Sequence, residues 1–247
     1  KRWYMGSYLG AGSQLANFTV NGTVTLQSVG YGYGAVYFTS GSSTFTLGAS
    51  GTLSSHDEET LYFANAGNTI NVSANTDGLA NLFKIRFRHG SGNINLPEMT
   101  TKFVHCEMSG GTVTATGDLT LTSELEVDSG TTFNANGNTI NGYTVDVDGG
   151  TLDLRNSSLL FNVSSANDSL DFTSASTLLT GNTTITGYDT PSNKHTWSGF
   201  TGGGFEVVGD VSNLNIAVGE LTVIGSVSNC TGVGIKQFHH TLDTQQL

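Results

Sequence analysis

The sequence predicts an all-β fold, a single-stranded parallel β-helix in which one chain winds into successive stacked coils. Three observations predict it. Glycine-led units recur every 19–20 residues, short runs of alternating apolar and polar residues lie between them, and the composition is rich in Gly, Ser, Thr and Asn but poor in charge. The first marker runs through Gly92-Asn93-Ile94, Gly111-Thr112-Val113, Gly130-Thr131-Thr132-Phe133 and Gly150-Thr151-Leu152, at steps of 19, 19 and 20 residues. A second, through Gly117-Asp118-Leu119, Gly137-Asn138-Thr139-Ile140, Asn156-Ser157-Ser158-Leu159 and Ser176-Thr177-Leu178, steps by 20, 19 and 20. Outside this middle region Gly22 to Gly41, Gly48 to Gly67, Gly181 to Phe200 and Phe200 to Gly219 each span 19 residues.

The intervals read as strands. Leu119-Thr120-Leu121 and Leu125-Glu126-Val127-Asp128 alternate with period two, and Gly, Asn, Asp and Ser bound each run. Strands this short cannot bury an apolar face alone, so each coil must pair with the next. The 247 residues then form one solenoid domain, 1–247. It has about twelve coils of 19–20 residues and a length of about 60 Å at the spacing of paired strands. Residues 188–205, with Pro191 and Trp197-Ser198-Gly199-Phe200, break the repeat and read as an interruption or protruding loop. The chain starts at Lys1 without an initiator Met, as expected of a segment processed or excised from a longer polypeptide.

Nine Lys and Arg against 20 Asp and Glu leave a net charge of −11. Nucleic acid is disfavoured as a partner, because each phosphate contact calls for a basic side chain. No apolar run reaches the length of a membrane span. Cys106 and Cys230 lie about six coils apart, far beyond disulfide reach, and are expected to stay unpaired.

Aligning the coils on the marker glycines sets Phe87, Cys106, Leu125 and Val145 in one inward column. Arg88, Glu107, Glu126 and Asp146 form an outward column beside it. Glu126, Asp128, Asp146 and Asp148 then make a two-by-two acidic array on the outer face. Like charges on neighbouring strands repel, so the array is either a solvated face, an opportunistic Ca²⁺ site or a working carboxylate pair. No cofactor is otherwise implied. Phe83 to His89 is the one basic strand, with Lys84, Arg86 and Arg88 on its outer side. They could grip an anionic glycan, or Arg88 could simply pair with Glu107 one coil along. Tyr31, Tyr33 and Trp197 are candidates for stacking on sugar rings.

Asn75-Thr76-Asp77-Gly78 resembles the Asn-Thr-Asp-Gly signature of polygalacturonase-type β-helix glycoside hydrolases, and the resemblance would make Asp77 catalytic. That family's Asp-Asp pair is missing between Asp77 and His89, and hydrolysis needs a second carboxyl group. More broadly, the run from Ser109 to Gly187 resembles the right-handed β-helical modules of phage tail fibres, tail spikes and other exposed virion proteins, and bacterial surface adhesins share the pattern. The resemblance implies a rigid structural and attachment rod, on a virion or outside the cell. Its partners would be other copies of itself, neighbouring virion or fibre proteins, and a host-surface polysaccharide. A polysaccharide-processing β-helix enzyme, hydrolase or lyase, is the alternative, and a bacterial adhesin or matrix fibre is a third.

Overall fold

In the computed structural model, the described residues are 2–6, 17–29, 34–39, 41–72, 74–161, 169–173, 175–187, 189–190, 193–199, 204–232 and 234–238. Each middle coil contributes three strands, and each strand pairs in parallel with its counterpart one coil on. The first face stacks Gly92–Leu96, Gly111–Ala115, Thr132–Asn134, Thr151–Asp153 and Thr177–Leu179. The second begins with the leading halves of Met99–Cys106 and Leu119–Asp128. It continues through Thr139–Gly142, Ser158–Phe161, Thr183–Thr186 and the end of Gly204–Ser212.

The third face is the longest, with ten rungs among the described residues. It runs through Ala35–Phe38, Thr60–Phe63, Lys84–Phe87, the trailing halves of Met99–Cys106 and Leu119–Asp128, then Thr144–Asp148, Ser169–Phe172, Asn193–Gly199, Leu214–Ala217 and Thr231–Gly232. The parallel solenoid read from the sequence is therefore the fold. No helix among the described residues is long and apolar enough to cross a membrane.

Period-two alternation turns every second side chain into the coil, and stacking converts these into rows. One row on the third face is Val36, Leu61, Ile85, Val104, Leu125, Val145, Leu170, Trp197 and Ile216, all at most 2% exposed. Its neighbour is Phe38, Phe63, Phe87, Cys106, Val127, Val147 and Phe172. The first three rings of that row stack at 4.7 and 5.6 Å between centroids. Each such side chain contributes about 1.5–3 kcal/mol through burial, and a one-residue slip would bring the charged outer row inside. Asn136, Asn156 and Asn182 carry the turn between the first and second faces at φ of 52°, 58° and 50°, a region Asn tolerates better than other side chains.

Three expectations change. The 19–20-residue coil holds from Gly92↔Gly111 through Thr132↔Thr151, but paired positions lie 26 apart at Thr151↔Thr177, 29 at Thr23↔Thr52 and 16 at Gly204↔Glu220. The turns between strands absorb the difference, so coil length varies while strand register persists. Second, the repeat is interrupted at the antiparallel pairing of Asp189–Thr190 with Asn193–Lys194, but Trp197 does not stand on a protruding loop. Residues 193–199 form a strand of the third face, and the Trp197 ring is fully buried against Phe172 and Phe205, at 6.0 and 5.7 Å. A ring enclosed on both sides cannot stack on a sugar.

Third, Cys106 lies beside Val127 rather than Leu125. The register shifts between Thr101 and Phe103, so the third face advances 21 residues where the glycines advance 19. Cys106 keeps its inward place beside Phe87, but His105 replaces Glu107 as the neighbour of Glu126.

Candidate functional site

The outer side of the third face carries the chemistry. Between the inward rows described above runs an outward one: Tyr37, Tyr62, Arg86, His105, Glu126, Asp146 and Asp171, one residue per rung. Because neighbouring rungs of a parallel sheet lie about 4.8 Å apart, successive side chains touch. The Tyr37 and Tyr62 rings are 4.7 Å apart, and Arg86 Cζ lies 5.8 Å from the Tyr62 ring centre. Flanking this row on one side are Lys84, Phe103 and Glu124, with the Lys84 ammonium 3.9 Å over the Phe103 ring. On the other side Asp128 and Asp148 share a row, and Glu107 precedes them one residue beyond the Cys106↔Val127 pair.

The acidic array read from the sequence is present. Glu126 pairs with Asp146 and Asp128 with Asp148 on adjacent strands. Burial raises the carboxyl pKa of Glu124, Glu126 and Asp146. At Asp146 the charges of Asp171, Asp148 and Asp128 add to it, while at Glu126 His105 opposes it.

The basic residues are turned toward this array. Arg86 donates to Glu107 Oε2 from Nε at 2.9 Å and from Nη2, and Arg88 Nε lies 3.3 Å from Glu107 Oε1. Burial pushes the Glu107 carboxyl up, but the hydrogen bond and charge of Arg86, helped by Arg88 and His105, bring it below its ordinary value. Arg88 thus has the Glu107 partner expected of it, and Arg86 holds that same carboxylate more closely. Lys84 is half-buried, and burial lowers its pKa against the pull of Glu126.

His105 was missed because the glycine spacing set Glu107 in its place. The alternation within Val104-His105-Cys106 is the signal that points it outward. It lies between the carboxylates of the next rung, with Nε2 2.9 Å from Asp128 Oδ2 and Nδ1 3.4 Å from Glu126 Oε2. Its ring also stacks on Phe103 at 5.9 Å. One ligand atom from each of His105, Glu107 and Asp128 fits within 4.8 Å of the others. An open groove of about 430 Å³ lined by Arg88, His89, Glu107, Met108, Ser109 and Ser129 adjoins this cluster.

Asp77 stands apart from the array. Its carboxylate accepts a 2.7 Å hydrogen bond from Thr100 Oγ1. The surrounding turn stitches coils together: Asn75 Nδ2 donates to Gly51 O, Thr100 N to Thr76 O and Leu53 N to Gly78 O. Tyr31 and Tyr33 lie outside the described residues.

Comparison with known proteins finds no matching family model, no matching curated protein and no matching solved structure. The site geometry is therefore the basis of the functional reading.

Proposed function

We propose that the chain is a structural and attachment module, a rigid β-solenoid rod of a virion or extracellular fibre that presents its third face to a host-surface glycan. The observation that carries this reading is the continuous outward row from Tyr37 to Asp171 on a fully packed core. Aromatic and cationic groups at one end, and carboxylates at the other, form a continuous strip at the repeat of the strands. Such a strip suits an extended, polar, repeating polymer: Tyr37 and Tyr62 offer ring faces, while Lys84 and Arg88 offer cations. Other copies of the chain or neighbouring fibre proteins would complete the assembly.

Binding of the full chain to an array of neutral and anionic surface polysaccharides tests this, with Tyr62→Ala and Arg88→Ala as variants. Retention of a glycan by the parent chain and its loss in the variants is the expected result. Absence of glycan binding would overturn the attachment reading.

A second reading, a polysaccharide-processing enzyme, is favoured by one observation: Glu126 and Asp146 are neighbouring carboxyls on adjacent strands, and glycoside hydrolysis calls for two carboxyl groups flanking the bond. Release of reducing ends from a bound polysaccharide, abolished by Glu126→Gln, would establish it in place of the first.

A further inference from the structure

We propose that His105, Glu107 and Asp128 form a binding site for a borderline divalent transition-metal ion of the Zn²⁺ or Co²⁺ type, with Glu126 orienting the imidazole. The proposal is independent of what the third face binds.

The His105 side chain is only 9% exposed and lies between two carboxylates, yet its Nδ1 has no hydrogen-bond partner. A neutral imidazole has a single N–H and cannot donate to both carboxylates, so either a second ring proton or a cation is needed to satisfy both nitrogens. If Nε2 donates to Asp128, the Nδ1 lone pair is left facing Glu126 Oε2 at 3.4 Å, which is the unpartnered arrangement. If instead Nδ1 carries the proton and donates to Glu126, the Nε2 lone pair faces Asp128 Oδ2 at 2.9 Å. A cation held between Nε2 and Asp128 satisfies both nitrogens without a second ring proton, and metal titration distinguishes the two arrangements. Both acceptors become ligands, and Nδ1–H is satisfied by Glu126, the carboxylate–histidine–metal arrangement that fixes a ligand's tautomer.

Glu107 supplies the third ligand, since its oxygen lies within the same 4.8 Å cluster. Of its two cationic partners, Arg88 is 57% exposed and the one able to swing away, while Arg86 keeps the other oxygen. The adjoining groove provides the entry path and room for water to complete the coordination. One imidazole with two carboxylates suits Zn²⁺ or Co²⁺, whereas Ca²⁺ takes six to eight oxygens. The ion thus differs from the opportunistic Ca²⁺ that is one of the three readings of Glu126, Asp128, Asp146 and Asp148 in the sequence.

The test is titration of the full chain with Zn²⁺ by calorimetry, with Co²⁺ by visible absorption, and with Ca²⁺ as the contrast ion. One equivalent of Zn²⁺ or Co²⁺ is expected to bind, more tightly than Ca²⁺. Glu126→Gln should weaken that binding by about 10–100-fold, and His105→Gln and Asp128→Asn should weaken it further. Circular dichroism establishes that each variant keeps its β signal; if His105→Gln does not fold, Asp128→Asn and Glu126→Gln decide. Absence of binding by the parent chain, preference for Ca²⁺, or affinity unchanged in the folded variants would overturn the site.

Discussion

Glu126 lies directly alongside Asp146 on the next rung of the third face, two carboxyl groups on neighbouring parallel strands with no residue between them. Burial and like charge raise both, together with Glu124. A group whose pKa is higher in the fold than in the open chain adds stability below its open-chain pKa and loses that contribution as pH rises through the folded value. Glu107 and Asp153, lowered mainly through Arg86 and Arg155, work in the opposite sense and lose their contribution as pH falls through their folded values. Stability should therefore peak on the acid side of neutrality. The melting temperature is expected to be roughly 2–4 °C higher at about pH 5 than at pH 8, a modest gain because these groups are partly solvated, and to fall again below about pH 4. A series of thermal melts against pH checks this, and Glu126→Gln should flatten the neutral limb.

Trp197 tests the packing. Its ring is fully enclosed with Phe172 and Phe205, so Trp197→Ala should cost about 3–5 kcal/mol, read as a lower urea midpoint. Trp197→Phe should lose less, and glycan binding by folded Trp197→Phe should match that of the parent chain.

The Asn75–Gly78 turn separates catalytic from structural readings. A Cβ at Gly78 would meet Leu47 Cδ2 at 2.4 Å and Gly51 O at 2.5 Å, so Gly78→Ala should destabilise by about 1–3 kcal/mol. Asp77→Asn retains an acceptor for Thr100, and the change in stability should stay within about 0.5 kcal/mol. Any polysaccharide-degrading activity should survive that substitution; its loss would return Asp77 to a catalytic role.

The two thiols should react at different rates. Cys106 is fully buried, and burial, with Asp128 and Glu126 nearby, pushes its thiol well above the ordinary value, whereas Cys230 is half-buried. A disulfide reagent should titrate one equivalent in the native protein and the second only after unfolding.

The stacked coils, the inward-facing residues and the two-by-two acidic array were legible in the residue order. They depend on local alternation and on repetition, and both survive in a linear string. Phe87 and Cys106 could be placed inside from their own strands alone. The pairing of Cys106 with Val127 could not, because a two-residue slip preserves the inward and outward alternation and leaves every apolar residue on the correct side. Only contact between rungs distinguishes the two registers. That slip exchanged Glu107 for His105 beside Glu126 and so concealed the imidazole from a reading based on glycine spacing. Trp197 escaped for a related reason: Pro191 and the glycines around it look like a loop until Leu170 and Ile216 are found on either side of its strand.

Pattern along the chain therefore establishes that this protein is a solenoid and which side chains its strands turn outward, since alternation and turn chemistry are short-range properties. Which outward groups become neighbours is a long-range property. The meeting of Arg86 with Glu107, and of His105 with Asp128, depends on the differing lengths of the turns between rungs and on a register shift of the strands they join, and these acquire definite values when the coils pack on one another.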